Sequence, residues 1–69
     1  MAKLEDVRIG SWLQDINGIY EVISEYDSYH GWYLVKEVIF DDDTGYNYHL
    51  DDKECRMTKQ EVKRADLTH

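Results

Sequence analysis

A chain of 69 residues leaves room for one domain only, residues 1–69, with a thin stability margin. The single cysteine, Cys55, excludes an internal disulfide. The net charge of −7, from 15 acidic against 8 basic side chains, disfavours direct nucleic-acid binding, which relies on lysine and arginine to neutralise phosphates.

Without a disulfide, apolar area must hold the fold together. It is aromatic-heavy, with Trp12, Trp32, Phe40 and six tyrosines, and large rings bury much area at low entropic cost. No stretch approaches the ~20 apolar residues of a membrane span, so no membrane contact is expected. The segment Met1 to Asp6 is charged and does not read as an export signal. A free cysteine beside that points to a cytoplasmic setting. Charge is unevenly spread. Residues 1–52 carry 12 acids against Lys3, Arg8 and Lys36, a net −9, and residues 53–69 carry a net +2. The matching partner is a protein with a basic surface.

In chain order, the first signal is Asn17-Gly18, between Trp12–Ile16 and Ile19–Ile23. Such a pair between β-prone runs predicts a two-residue type I′ hairpin. That turn would set Ile16 opposite Ile19, Leu13 opposite Val22, and Trp12 opposite Ile23. Both faces would carry apolar groups, which suits a strongly curved sheet. A turn is next expected over Asp27–Gly31. Trp32 to Phe40 then reads as a strand, with Trp32, Leu34, Val38 and Phe40 on one side and Tyr33, Val35 and Ile39 on the other. Asp41–Gly45 reads as a loop and Tyr46–Leu50 as a further strand. Thr58-Lys59-Gln60-Glu61 fits a capping box, with Met57 and Val62 at the staple positions, and predicts a short helix from about Lys59 to Ala65. A last strand through Glu61 to Leu67 is the alternative. The fold expected is mainly β: a small barrel of about five short strands with a C-terminal helical turn.

The segment from Val7 to Ile23 resembles the opening of SH3-like small barrels of bacterial and phage type. There a Gly-x-aromatic step, here Gly10-Ser11-Trp12, enters a curved hairpin, and a Tyr-x-Val strand, here Tyr20-Glu21-Val22, leaves it. The nucleic-acid-binding branch of these barrels has basic loops, whereas these loops are acidic. The resemblance implies a fold, and no RNA or ribosome role follows from it.

Candidate sites divide into poor and better ones. Asp41, Asp43 and Asp52 imitate part of a calcium loop, but Gly45 stands one place early and the twelfth position lacks its usual Glu. A solvated loop is the simpler reading. His30, His49 and Cys55 have no metal-ligand spacing, so neither a metal nor another cofactor is expected. Cys55, between Glu54 and Arg56, has no surrounding catalytic pattern and reads as a small core residue. Enzymatic activity is not expected. The dense aromatic stretch Tyr26, Tyr29, His30, Trp32 and Tyr33 either caps one end of the barrel or forms an interface. Tyr26, Tyr29, Trp32 and Tyr33, with Asp41, Asp42 and Asp43, are the expected partner-binding residues. Arg56, Lys59, Lys63 and Arg64 form a basic C-terminal patch. It reads as a solvated face, as an attraction to the acidic body, or as a second contact with an acidic partner.

The function expected is that of a small acidic protein-binding module. Size and resemblance suit a phage-encoded regulator or inhibitor of a host protein, of anti-CRISPR or other counter-defence type, acting in the host cytoplasm. It would occupy a basic surface, with mimicry of nucleic acid as one mechanism. The alternative is a structural or accessory subunit of a larger assembly.

Overall fold

A computed structural model describes the whole chain, Met1–His69. Five antiparallel strands form one sheet: β1 (Trp12–Asp15), β2 (Gly18–Val22), β3 (Tyr33–Phe40), β4 (Tyr48–Met57) and β5 (Asp66–Leu67). Their spatial order is β4-β3-β2-β1-β5. A 3-10 turn, Leu4–Asp6, precedes the sheet, and one helix, α1 (Lys59–Arg64), lies between β4 and β5. The fold is mainly β with five strands and a helical turn near the C-terminus. The sheet is open, with β4 and β5 as its edge strands.

The first hairpin forms where the Asn-Gly signal stands, but in a different register. Trp12 pairs with Glu21, Leu13 with Tyr20, Gln14 with Ile19 and Asp15 with Gly18. The central turn residues are therefore Ile16 and Asn17 rather than Asn17 and Gly18. The Asp15 carboxylate accepts hydrogen bonds from the backbone N–H of Asn17 (2.7 Å) and of Gly18 (3.2 Å). This side-chain turn competes with the type I′ geometry and wins. No non-glycine residue has positive φ, so the two positive φ angles of a type I′ turn are absent, and Gly18 at φ +148° is the residue that needs glycine. The predicted pairs Ile16–Ile19, Leu13–Val22 and Trp12–Ile23 do not form. The pairing moves by two places, so every side chain keeps its predicted face.

One face builds the core. Leu13, Val22, Tyr33, Val35 and Met57 are buried there with Val62 and Ala65 of the C-terminal segment and Ala2, whose N–H donates to the carbonyl of Ala65 at 2.7 Å. Cys55, opposite Val35 on β4, packs against this cluster as a half-buried side chain. The opposite face has a second, smaller cluster. Trp12 meets Phe40 (5.9 Å between centroids) and Tyr48 (4.9 Å) edge to face, and His69 tilts over it at 5.0 Å. Val38 lies on the Phe40 side of β3 and is buried outside the main core. A two-sided sheet of this kind needs curvature. One source is a bulge in the β3–β4 ladder, where Lys36 pairs with Glu54 and Val38 with Leu50, leaving Asp51–Lys53 opposite Glu37.

The C-terminal expectation holds in detail. Thr58 caps α1, its hydroxyl accepting from the Glu61 N–H (3.3 Å) while the Glu61 carboxylate accepts from the Thr58 N–H (3.0 Å). Val62 and Met57 are both buried. Of the alternative strand over Glu61–Leu67, only the two residues of β5 are extended and paired, with Leu13 and Gln14.

Candidate protein-binding surface

The aromatic turn is organised by Asp27. Its N–H donates to the carbonyl of Trp32 (2.9 Å), and the Gly31 N–H donates to its carbonyl (2.7 Å). Its carboxylate accepts from the N–H groups of Tyr29 (3.0 Å) and His30 (3.2 Å) and contacts His30 Nδ1 at 2.6 Å. The His30 side-chain bond, first, and these backbone bonds hold its pKa below the ordinary carboxylate value. His30 in turn stacks on Trp32, with centroids 4.8 Å apart and planes 9° from parallel, and Tyr29 stands edge-on to His30 at 4.8 Å. Tyr29 is 89% exposed and Trp32 half-buried. Tyr26 and Tyr33 pack at 5.2 Å. Tyr33 is a core residue, its hydroxyl pKa raised by burial, so it supports the turn and offers little surface to a partner.

The acidic loop is organised by Asp42. Its carboxylate accepts from the Thr44 hydroxyl (2.7 Å), Asn47 Nδ2 (2.8 Å) and the N–H groups of Thr44 and Gly45 (both 3.2 Å). The Thr44 hydroxyl, first, and the Asn47 amide hold its pKa low. Asp41 contacts His49 Nδ1 at 2.6 Å. Of the three aspartates, Asp43 alone makes no hydrogen bond within the chain and is free for a partner. The same loop displays Tyr46, 86% exposed, beside the partly exposed Phe40 and Tyr48. These three aromatics are absent from the expected set. The sequence predicts a strand over Tyr46–Leu50, whereas β4 begins at Tyr48 and leaves Tyr46 in the loop.

The expected site does not come together as one patch. Tyr26, Tyr29 and Trp32 precede β3, and Asp41, Asp42 and Asp43 follow it. Eight strand residues lie between Trp32 and Asp41, about 30 Å at ~3.3 Å per residue step. The two ends also differ in charge. Residues 36–54 hold seven acids, Glu37, Asp41, Asp42, Asp43, Asp51, Asp52 and Glu54, against Lys36 and Lys53, a net −5. At the aromatic end Arg56 lies over the Trp32 ring (5.1 Å) and Lys59 Nζ over the Tyr26 ring (4.2 Å). Two of the four residues of the basic C-terminal patch, Arg56 and Lys59, thus contact aromatic faces rather than carboxylates. No lysine or arginine forms an ion pair anywhere in the chain; the N-terminal amine pairs with Asp66, and His30 and His49 each contact an aspartate through Nδ1.

No group of three or more His, Cys, Asp or Glu side chains is arranged to hold a metal ion. His30 sits in the turn before β3 and His49 on β4, each against its own aspartate, and Cys55 faces the core. No helix is long and apolar enough to cross a membrane. The arrangement has an acidic hairpin with exposed rings at one end of β3, and an aromatic, cation-bearing end at the other. Comparison with protein-family models, with curated proteins and with solved structures finds no match to this chain.

Proposed function

We propose that the chain is an acidic protein-binding module whose β3–β4 hairpin docks on a basic protein surface. The observation that carries this reading is the uncompensated hairpin: a net −5 over residues 36–54, with no lysine or arginine paired to any of its carboxylates. Such a surface steers a basic partner by long-range attraction and repels nucleic acid. Tyr46 supplies an exposed ring on a loop already ordered by Asp42, so little entropy is lost on docking. Carboxylates spaced along this hairpin would also suit a groove that normally holds phosphates. In that version the protein is a regulator or inhibitor that displaces nucleic acid from a host protein, and a phage-encoded, counter-defence setting rests on size and the small-barrel resemblance alone. The accessory-subunit reading is favoured by a different observation, the 89% exposed Tyr29 on a pinned turn. It would use the opposite end of β3.

The test is affinity capture from the native host with the intact chain, followed by binding measured against salt with a nucleic-acid competitor. A basic partner whose affinity falls with salt, and falls further with Asp43→Asn, Asp52→Asn and Glu54→Gln combined, supports the reading. A partner bound independently of salt and of these substitutions rejects it.

A further inference from the structure

The aromatic end of the molecule presents the opposite chemistry to the hairpin. A groove of about 380 Å³ lies there, lined among others by Val7, Arg8, Ile9, Tyr26 and Tyr33. Ile9 is 61% exposed at its rim, although it is a large aliphatic side chain. Tyr26 belongs both to this groove and to the Lys59 contact, its ring 4.2 Å from the ammonium nitrogen. Neither Arg8 nor Lys59 is ion-paired. An ammonium resting on a ring face keeps its N–H donors pointed at solvent and available to an anion. Arg56, seated on Trp32, adds a third cation at this end. The opposing carboxylates are Glu25, which lines the groove, and Asp27, which is engaged by His30.

We propose that this groove is a second binding site, for an acidic peptide segment of a partner protein that carries an aromatic or large aliphatic side chain. The apolar side chain would enter between Ile9 and Tyr26, with the buried Tyr33 as the floor, and flanking carboxylates would meet Arg8 and Lys59. Charge complementarity selects this occupant. A basic segment would face two unpaired cations, Arg8 in the lining and Lys59 on Tyr26, against one unpaired carboxylate, Glu25, and a bare phosphate would leave the apolar lining without a contact. The site stands independently of the acidic-hairpin proposal, because it shares no residue with residues 36–54. With both sites in place the chain would bridge a basic and an acidic surface.

The experiment is a 15N-1H correlation titration of the intact chain with two synthetic peptides, one with a phenylalanine flanked by aspartates and glutamates, the other with lysines and arginines in their place. The acidic peptide should shift Val7, Ile9 and Tyr26 in a saturable way. Lys59→Glu and Arg8→Glu should each weaken it at least tenfold. Both positions are exposed, and a glutamate in the first turn of α1 suits the helix dipole, so the fold should be kept. An unchanged melting temperature checks this. Equal binding of the basic peptide, or no groove shift with the acidic one at millimolar concentration, overturns the proposal. Concentration-dependent shifts without peptide, at the groove and at Asp43 and Tyr46 together, would also overturn it by making a second copy of the chain the occupant.

Discussion

The carboxylate of Asp15 holds the backbone of Gly18, accepting its N–H at 3.2 Å in the turn that joins β1 to β2. The bond fixes the register of the hairpin and places Gly18 at φ +148°. A Cβ there would stand 3.4 Å from Glu37 Oε2. Gly18→Val forces a β-branched residue into that backbone and should destabilise by more than ~1 kcal/mol. Asp15→Ala strips two N–H groups of their acceptor and should cost about 1 kcal/mol. Ile16→Lys, at a fully exposed position, should cost nearly nothing. Urea denaturation of the three variants measures the order. Asp15→Ala with no loss would mean that the side-chain turn does not set the register.

Acid should weaken both loops. The pKa values of Asp27 and Asp42 are depressed in the fold, so each contributes stability above the ordinary carboxylate value that is lost as pH falls through the folded value. Both carboxylates sit at the surface, where solvent screening keeps the contribution small. The urea midpoint should therefore decline below about pH 4. That decline should be shallower in Asp42→Asn and in Asp27→Asn. A slope unchanged in both variants would assign the acid sensitivity to other carboxylates.

The capping box makes α1 a sensitive element despite its six residues. A helix so short is held by packing and caps rather than by propensity. Thr58→Ala should cost about 1 kcal/mol. Val62→Ala removes a fully buried side chain from the core and should cost more than the cap. Thermal melts of the two variants decide the ranking. If Val62→Ala is the milder change, the helix is peripheral to the core.

The short-range chemistry was well marked in the sequence and the long-range geometry was not. Thr58 and Glu61 announce the helix because a capping box is a local exchange of bonds, and it forms as read. The alternation of β3 puts Tyr33 and Val35 on the core face for the same reason. The first hairpin was found, but its register was not, because Asp15 offered the backbone a second turn that the Asn-Gly signal does not reveal. Most of β4, Asp51–Met57, carries five charged residues and gives no strand signal. It is an edge strand, and charge on an edge discourages pairing with other chains. The expected binding set failed as one patch for a simple metric reason. Neighbours in sequence lie at opposite ends of a long strand, and only the pairing of β3 with β4 shows that Tyr46 and Tyr48, rather than Tyr29 and Trp32, accompany Asp43.

That separation makes the partner prediction sharp. If the hairpin binds a basic surface, Tyr46→Ala should weaken the complex by about 1–2 kcal/mol, mainly through faster dissociation. Neutralising Asp43, Asp52 and Glu54, whose carboxylates form no ion pair within the chain, should instead slow association and flatten its salt dependence. Screening shortens the attraction to about 8 Å at physiological ionic strength, so the difference between wild type and this triple variant should shrink as salt rises. Asp42→Asn is the wrong probe, because it also loosens the loop that presents Tyr46. Trp32→Ala and Tyr29→Ala, at the far end of β3 and about 30 Å away at ~3.3 Å per residue step, should leave affinity for the basic partner unchanged. If the mechanism is phosphate mimicry, nucleic acid must compete for the same groove, and the triple variant must lose more affinity than Tyr46→Ala does. Surface plasmon resonance on these variants over a salt series, with and without a nucleic-acid competitor, reads every arm. Loss of binding in Trp32→Ala with none in Tyr46→Ala would move the interface to the aromatic turn and leave the accessory-subunit reading in its place.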